Sequence, residues 1–211
     1  MSLPERLVVN TSRPAPLALD AAARVLRSKG LVAFPTETFY GLGAHALDAA
    51  AVDRVFVAKG RPADKPLLVL VDSVAMVTRV AREVSVHARR LMARYWPGAL
   101  TLVLPAHPTL PVTLTAGTGT IGVRLSGHPV ARGLVTALGA PVTAPSANPH
   151  GAPSPRTADE VVASLGARID LVLDGGPTPG GPASTLLDLT RVPAVVVRAG
   201  AVVLTPEDLE G

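Results

Sequence analysis

The chain has 211 residues, of which 48% are hydrophobic, and it carries a formal net charge of +4. This content predicts a single domain over residues 1–211 with a substantial buried core. The absence of cysteine excludes disulfides, thiolate nucleophiles and cysteine-ligated zinc. Charged residues interrupt the first thirty positions and no later apolar run approaches membrane-spanning length, so we expect a cytoplasmic protein with no membrane contact.

Helical and extended patterns alternate from the N-terminal end onward. A helix is predicted over 17–30, closed by Gly30, and a short buried strand over 31–35. The next helix extends from an N-cap at Asp48 to Gly60, and a buried strand follows over 66–71. The polar and glycine-containing segment between this helix and strand is therefore a loop.

The second half of the chain continues the alternation. A helix begins after Ser85 and stops at 96–98, strands follow over 100–105 and 120–125, and a helix over 128–139 has proline in its first turn. A strand over 140–146 leads into a loop, and "TADE" at 157–160 is a capping box that opens another helix. The strand-like segments 170–176, 184–190 and 194–200 complete an α/β fold with a mixed sheet.

The loop "KGRPADKPL" at 59–67 concentrates positive charge. Lys29, Lys59 and Lys65 are the only lysines among 20 basic residues, yet two of them flank Arg61 within this loop. Such a cluster indicates an anion. The sequence has no Gly-x-x-x-x-Gly-Lys-Ser/Thr phosphate loop, and the glycine-rich "AGTGTIG" at 116–122 precedes a strand, which favours a flexible loop over a phosphate cradle.

Two other segments suggest a polar site. "PTETFYGLG" at 35–43 places Thr36, Thr38 and Tyr40 at alternating positions, which predicts either a polar wall or a strand edge that turns at the glycines. "APSANPHGAPSP" at 144–155 follows a strand, where α/β folds bind ligands, although its residues also suit an ordinary turn.

Arg124 and Arg198 each interrupt an apolar strand. Burying an unpaired charge is costly, so each predicts either a structural ion pair or a bound anion. The five histidines show no metal-ligand spacing, and we predict no metal site built from protein residues.

Taken together, these segments resemble the YrdC-type threonylcarbamoyl-AMP synthases. The motifs that carry the resemblance are "PTETFYGL", "KGRPADKPL", "WPGALT", "GVR", "APSAN", "PSP", "LDGG", "STLLDLT" and "VRAG", in the family's order over roughly residues 15–205. The resemblance implies a YrdC-like α/β fold, with a twisted open mixed sheet, flanking helices and a large concave cavity.

The resemblance also implies an activity. L-threonine, bicarbonate and ATP would give threonylcarbamoyl-AMP and pyrophosphate, with Mg²⁺ accompanying the ATP. A downstream threonylcarbamoyl transferase would then modify tRNA beside the anticodon, with at most weak tRNA contact by this chain.

By resemblance, the site residues fall into two groups. Those expected to bind ATP are Lys59, Arg61, Lys65, Thr120, Ser146, Asn148, Ser154 and Arg198, with Lys59 and Arg61 also catalytic. Those expected to bind threonine are Thr36, Thr38, Tyr40, Arg124, Ala144 and Ser184, with Arg124 as the partner of the carboxylate.

Two positions differ from the family pattern. Leu70 stands where many members have a histidine, and Ser126 stands where the usual pattern has proline. Two other functions remain open at this point: a bicarbonate-independent enzyme that adenylates an amino acid, and a catalytically silent module that binds structured RNA through its basic surface.

Overall fold

The computed structural model describes residues 3–210. The strands are β1 Glu5–Val8, β2 Val32–Phe34, β3 Gly41–Gly43, β4 Leu68–Leu70, β5 Leu100–Pro105, β6 Thr120–Arg124, β7 Val142–Thr143, β8 Leu171–Asp174, β9 Thr185–Asp188 and β10 Val195–Arg198. The α-helices are α1 Pro16–Arg27, α2 Ala49–Lys59, α3 Val86–Tyr95, α4 Val112–Thr115, α5 Pro129–Leu138 and α6 Ala158–Leu165. Short 3₁₀ segments cover Ala75–Arg79, Gly166–Arg168 and Pro206–Asp208.

The strands form two mixed sheets. The first has the order β1-β8-β2-β3, with β1 and β2 parallel to β8 and β3 antiparallel to β2. The second has the order β10-β9-β5-β6-β4-β7, with β4 parallel to β6, β5 parallel to β9, and antiparallel pairing elsewhere. The predicted mixed α/β class is confirmed.

The two sheets are joined where their edges β3 and β7 meet. Backbone hydrogen bonds cross this seam from Ala46 N to Pro141 O, from Thr143 N to Ala44 O, from Leu42 N to Pro145 O and from Ala147 N to Tyr40 O. The Thr143 hydroxyl adds two more, donating to Leu42 O at 3.0 Å and accepting from Ala44 N at 2.9 Å. The ten strands are therefore linked across the fold by hydrogen bonds.

Alternation along β2 explains the layers around the first sheet. Val32 and Phe34 pack into a core formed with α1 and α5, whereas Leu31 and Ala33 belong to a second core that includes buried residues of α2, α3 and α6. Successive side chains of a strand point to opposite faces, so both faces of this sheet are covered by apolar residues.

The helix ends follow their capping residues. Asp48 caps α2 by accepting from Ala51 N, and Gly60 ends it with a φ of 57°. Ser85 caps α3, and the capping box of Thr157 and Glu160 opens α6. The predicted end of α1 is wrong: the helix stops at Arg27 and Lys29 takes the positive φ. Gly30 is instead required by a close approach, because a Cβ there would lie 2.5 Å from Val25 Cγ1.

Some elements carried no clear sequence signal. Strand β1 and the short helix α4 were not predicted, and Gly41–Gly43 form strand β3 rather than a turn. The turn lies before these glycines, within residues 36–39. The chain reverses direction there, and β3 pairs antiparallel with β2. Within residues 3–210, the helices are all too short or too polar to cross a bilayer.

The hydrogen bonds of the Thr143 hydroxyl at this seam should contribute to the stability of the fold. Thr143 is fully buried, and Thr143→Val keeps its shape while leaving Leu42 O and Ala44 N without their side-chain partner. We expect a loss of about 2–4 kcal/mol in the free energy of unfolding, measured by chemical denaturation. Thr143→Ser, which keeps the hydroxyl, is the control and should lose only about 1 kcal/mol. A valine variant as stable as the serine variant would contradict the role of this hydroxyl.

Candidate functional site

A cavity of about 280 Å³ lies on one face of the second sheet. Its floor is made by alternate residues of neighbouring strands: Leu68 and Leu70 of β4, Val103 of β5, Thr120, Gly122 and Arg124 of β6, and Leu186 of β9. The intervening residues, such as Val69, Leu102 and Val123, point the other way into the core. The period of two therefore gives this sheet one face in the core and one that carries the cavity, although Leu70 of β4 and Val142 of β7 also belong to the core formed with α1 and α5.

The walls come from segments that leave the strands. They are the 36–41 turn, the loop from Arg61 to Leu67, the loop from Ala144 to Ser154, and the segment Ala183–Ser184 beside Arg198. The seam between β3 and β7 positions the first and third of these walls, because the first ends and the third begins at its hydrogen bonds.

Most of the residues predicted for the site meet in this cavity. The predicted residues that line it are Thr36, Thr38, Tyr40, Arg61, Thr120, Arg124, Ala144, Ser146, Ser154, Ser184 and Arg198. The three that do not are Lys59, Lys65 and Asn148. Residues assigned to ATP and residues assigned to threonine thus lie around one space. The lining also includes Leu70, one of the two positions that differ from the family pattern.

The hydroxyl groups of the 36–41 turn do not all point the same way. Thr36 Oγ1 and Thr38 Oγ1 lie 3.2 Å apart and both residues are buried. Tyr40 instead donates to Gly176 O at 2.8 Å and accepts from Gly175 N at 3.2 Å. Burial raises the pKa of Tyr40 to about 12. The alternation argument is therefore wrong for Tyr40, because the segment is a turn rather than a strand.

Three arginines line the cavity, and its lining within residues 3–210 contains no acidic residue. Arg61 donates to the carbonyls of Lys65 and Pro66, and Arg198 donates to Ser184 O and Ser184 Oγ. Neither has a carboxylate partner among the described residues. Burial lowers the pKa of both guanidinium groups, and the charge of Arg124 lowers that of Arg198 further.

Arg124 and Arg198 differ in burial. Arg124 is 5% exposed, as its position in an apolar strand predicted. Strand β10 is exposed along its whole length, so the expectation that Arg198 interrupts a buried run is wrong. Of these two arginines, Arg124 is the more deeply buried, and within residues 3–210 it is the one with an acidic partner.

That partner is Glu37, which the sequence reasoning did not single out. Glu37 Oε1 lies 2.5 Å from Arg124 Nη2, and Arg124 Nε donates to Gly98 O at 3.1 Å. The structural ion pair considered for Arg124 is therefore present, although Arg124 still lines the cavity. A buried arginine in β6 was itself the signal that an acid must lie nearby, but the sequence did not indicate which one.

Lys59 lies behind the cavity wall. It is 3% exposed, and its Nζ donates to Ser146 O and Asn148 O, both at 2.5 Å. Burial, and to a smaller extent the charge of Arg61, lowers the pKa of Lys59 to about 8. In this structure the lysine braces the loop after β7, and its predicted contact with ATP stays a prediction.

Asn148 and Lys65 also lie outside the lining. Asn148 Nδ2 donates to Pro149 O and Ala152 O, so this side chain braces its loop, as expected from the sequence. Lys65 is exposed, and its Nζ lies 3.1 Å from His150 Nε2. The three basic residues of this loop therefore differ in position: Lys59 is buried and braces the loop after β7, Arg61 lines the cavity, and Lys65 is exposed.

The described residues offer no cage for Mg²⁺. The cavity lining carries no carboxylate, and no cluster of three or more metal-binding side chains occurs within 3–210. Mg²⁺ is commonly bound through substrate phosphates and water with few protein ligands. An ion that enters with ATP is compatible with this cavity, and the predicted Mg²⁺ requirement stays a prediction.

Comparison with known proteins identifies the fold. The Sua5/YciO/YrdC family model, described as "Telomere recombination", matches residues 24–200. The chain belongs to this family. The family and the YrdC-like fold predicted from the motifs are thereby confirmed.

Relatives from two organisms carry the same printed name, threonylcarbamoyl-AMP synthase. The one from Pyrococcus abyssi is 46% identical over 189 residues, which are 90% of this chain and 55% of that protein. The one from Bacillus subtilis is 44% identical over 190 residues, covering 90% of this chain and 54% of that protein. The chain spans about half the length of these relatives.

A solved structure supports the same conclusion about the fold. The crystal structure of P. abyssi Sua5 complexed with L-threonine superposes with a TM-score of 0.88 and 44% identity. The match covers 92% of this chain and 57% of that chain.

We expect the Glu37 carboxyl to make the stability of the fold depend on pH. Burial would raise its pKa, but the charge of Arg124 and the hydrogen bond from Ser126 outweigh burial and lower it. Because the folded pKa is the lower one, the carboxylate stabilises the fold above the unfolded value of 4.5. That contribution is lost as the pH falls through the folded pKa.

Melting curves of wild type and Glu37→Gln test this sign. The wild type should have the higher Tm near neutral pH, and the difference should shrink as the pH falls below about 4.5. Glu83→Gln, at an exposed residue without an ion pair within 3–210, should show no such trend. A difference that grows toward acid pH would contradict the lowered pKa.

Proposed function

We propose that the chain is an L-threonylcarbamoyladenylate synthase, a nucleotidyltransferase that condenses L-threonine, bicarbonate and ATP to threonylcarbamoyl-AMP and pyrophosphate. The observation that carries the proposal is the set of three arginines around a cavity whose lining within 3–210 contains no acid. Membership of the family and the printed names of its relatives support the choice of this activity over other anion chemistry.

The substrates are assigned to different parts of the cavity. ATP has several negative charges, and Arg61 and Arg198 have no acidic partner among the described residues, so we place the phosphates between them. Threonine lies toward Arg124 and the hydroxyls of Thr36 and Thr38, with its carboxylate at Arg124. A solved family member was crystallised with L-threonine, which supports an amino-acid site in this fold.

The reaction needs no covalent nucleophile from the protein. The threonine amine condenses with bicarbonate and releases water, or adds to CO₂ and releases a proton, to give a carbamate. A carbamate oxygen then attacks the α-phosphorus and expels pyrophosphate. The arginines would hold the reactants and stabilise the charge that develops on the phosphates. The walls of the cavity would limit water access to the carbamate and to the mixed anhydride, both of which hydrolyse.

The product is proposed to pass to a threonylcarbamoyl transferase that modifies tRNA beside the anticodon. A cytoplasmic location, where ATP, threonine and tRNA are available, belongs to the same proposal. Any direct contact with tRNA would be weak, because the basic residues are scattered along the sequence and aromatic residues are only 3% of it, so a basic and aromatic surface for nucleic acid is not expected.

A product assay tests the activity directly. Purified protein with ATP, Mg²⁺, L-threonine and bicarbonate should give threonylcarbamoyl-AMP by mass spectrometry, and omission of any one substrate should abolish it. Threonyl-AMP formed without bicarbonate would instead show an amino-acid adenylating enzyme. Salt-sensitive RNA binding without ATP turnover would show a binding module, and either result would overturn the proposal.

The role of Arg61 predicts a kinetic loss. Arg61→Ala should lower kcat about thirty- to a thousand-fold, because it removes charge stabilisation of the transferred phosphate. Arg61→Lys should recover little, since a point charge does not reproduce the planar fork of guanidinium.

Pyrophosphate release measures these variants, with thermal melts to verify folding. Arg89→Ala is the matched control, because Arg89 is exposed on α3 and forms no ion pair within residues 3–210. A folded Arg61→Ala variant with wild-type turnover would show that Arg61 only supports its own loop.

A further inference from the structure

Glu37 occupies an unusual place beside the cavity. It lies between Thr36 and Thr38, both of which line the cavity, yet its own carboxylate is directed to the segment after β6. Its side chain is 23% exposed, and it is the acidic partner of Arg124. The sequence motif that contains it gives no separate role to this residue.

Three groups from one short segment contact the carboxylate. Oε1 lies 2.5 Å from Arg124 Nη2 and accepts from Gly127 N at 3.1 Å. Oε2 accepts from Ser126 Oγ at 2.5 Å. One carboxylate thus ties the turn after β2 to the end of β6, and both segments are walls or floor of the cavity.

These contacts restrict the orientation of Arg124. Its Nε donates to Gly98 O and its Nη2 contacts Glu37, so the edge formed by these two nitrogens is engaged by the protein. Nη1 has no acceptor among the described residues, and Arg124 lines the cavity. The guanidinium is therefore fixed along one edge and can offer Nη1 to a ligand.

We propose that Glu37 is a positioning residue for the amino-acid site: its carboxylate orients the Arg124 guanidinium toward the cavity, and Ser126 holds that carboxylate in place. The inference rests on the proposed function, since it takes the carboxylate of L-threonine as the anion that Arg124 meets. Glu37 acts through Arg124 and does not touch the substrate.

The distribution of acidic residues around the cavity favours this positioning role over a role in which Glu37 only neutralises the positive charge of the arginines. Arg61 and Arg198 also lie at the cavity, and neither has an acidic partner within residues 3–210. An acid occurs only at the one arginine that is deeply buried, where a missing partner would leave a charge uncompensated. The ion pair therefore fixes Arg124 in place while its other end stays available.

Ser126 extends the arrangement beyond Arg124. By the resemblance, proline is usual at this position, and proline has no side-chain donor. Here the Ser126 hydroxyl donates to Glu37 and accepts from His128 N at 3.1 Å, and the residue is 1% exposed. The serine thus connects the carboxylate to His128, the N-cap residue of α5.

The closing experiment compares Glu37→Gln and Ser126→Ala with wild type. Glutamine can keep the shape of the site, with its oxygen toward Arg124 and its amide nitrogen toward Ser126, while it removes the charge. We expect the KM for threonine to rise roughly tenfold, at the lower end of the effect of losing a hydrogen bond to a charged group. The KM for ATP and kcat should stay within about twofold, and Ser126→Ala should raise the threonine KM about threefold.

A double-mutant cycle separates positioning from a general structural effect. If Glu37 acts through Arg124, Glu37→Gln should cause no further loss of threonine affinity in an Arg124→Ala background, measured by calorimetry up to millimolar threonine. Glu83→Gln is the control and should match wild type in both backgrounds.

The outcomes distinguish this inference from the proposed function. Wild-type protein that neither binds threonine nor forms the product would overturn the proposed function and the inference with it. Normal wild-type activity, with an unchanged threonine KM in folded Glu37→Gln, would overturn the inference alone. Equal losses for threonine and ATP, or an additive loss in the Arg124→Ala background, would also overturn it.

Discussion

The structure depends on a sheet that packs one face fully into the core and leaves most of the other face to the cavity. In the second sheet, one set of alternating residues enters the core, and the other set forms the floor of the cavity. Most residues of the floor, such as Gly122, Val103 and Leu186, are small or apolar and leave space above the sheet. Arg124 is the charged residue among them. At Gly122 a Cβ would already lie 3.3 Å from Thr101 Cγ2. The seam with the first sheet then brings two walls to the edge of this floor.

Electrostatics gives this cavity its chemical preference. Arg61 and Arg198 are held by backbone carbonyls and by Ser184, which orient them without neutralising their charge. Arg124, the buried one, is paired with Glu37. Lys59 adds a fourth positive group behind the wall, and its lowered pKa of about 8 reflects the cost of that burial. A site of this kind attracts anions and presents them with fixed donors, which is the form of catalysis that phosphoryl chemistry uses most.

Local signals predicted the fold well and the orientation of side chains less well. The caps at Asp48, Ser85 and Thr157 are decided by neighbouring residues, and the sequence predicted them. Strand β1 pairs with β8 across most of the chain, so its four residues carried too little local pattern to reveal it. Most of the site residues that the motif resemblance indicated do line one cavity. The resemblance did not indicate that Lys59 points to the loop carbonyls. Nor did it show that Tyr40 turns toward Gly175 and Gly176, or that Glu37 pairs with Arg124. Those facts depend on contacts between distant segments.

A crystal structure with L-threonine and a non-hydrolysable ATP analogue tests the central claim most directly. The account predicts both ligands in the cavity on the second sheet, with the threonine carboxylate within hydrogen-bond distance of Arg124 Nη1. It also predicts the phosphates against Arg61 and Arg198, and the Glu37 contact with Arg124 retained. Threonine bound with its carboxylate away from Arg124, or a nucleotide bound outside this cavity, would contradict the account.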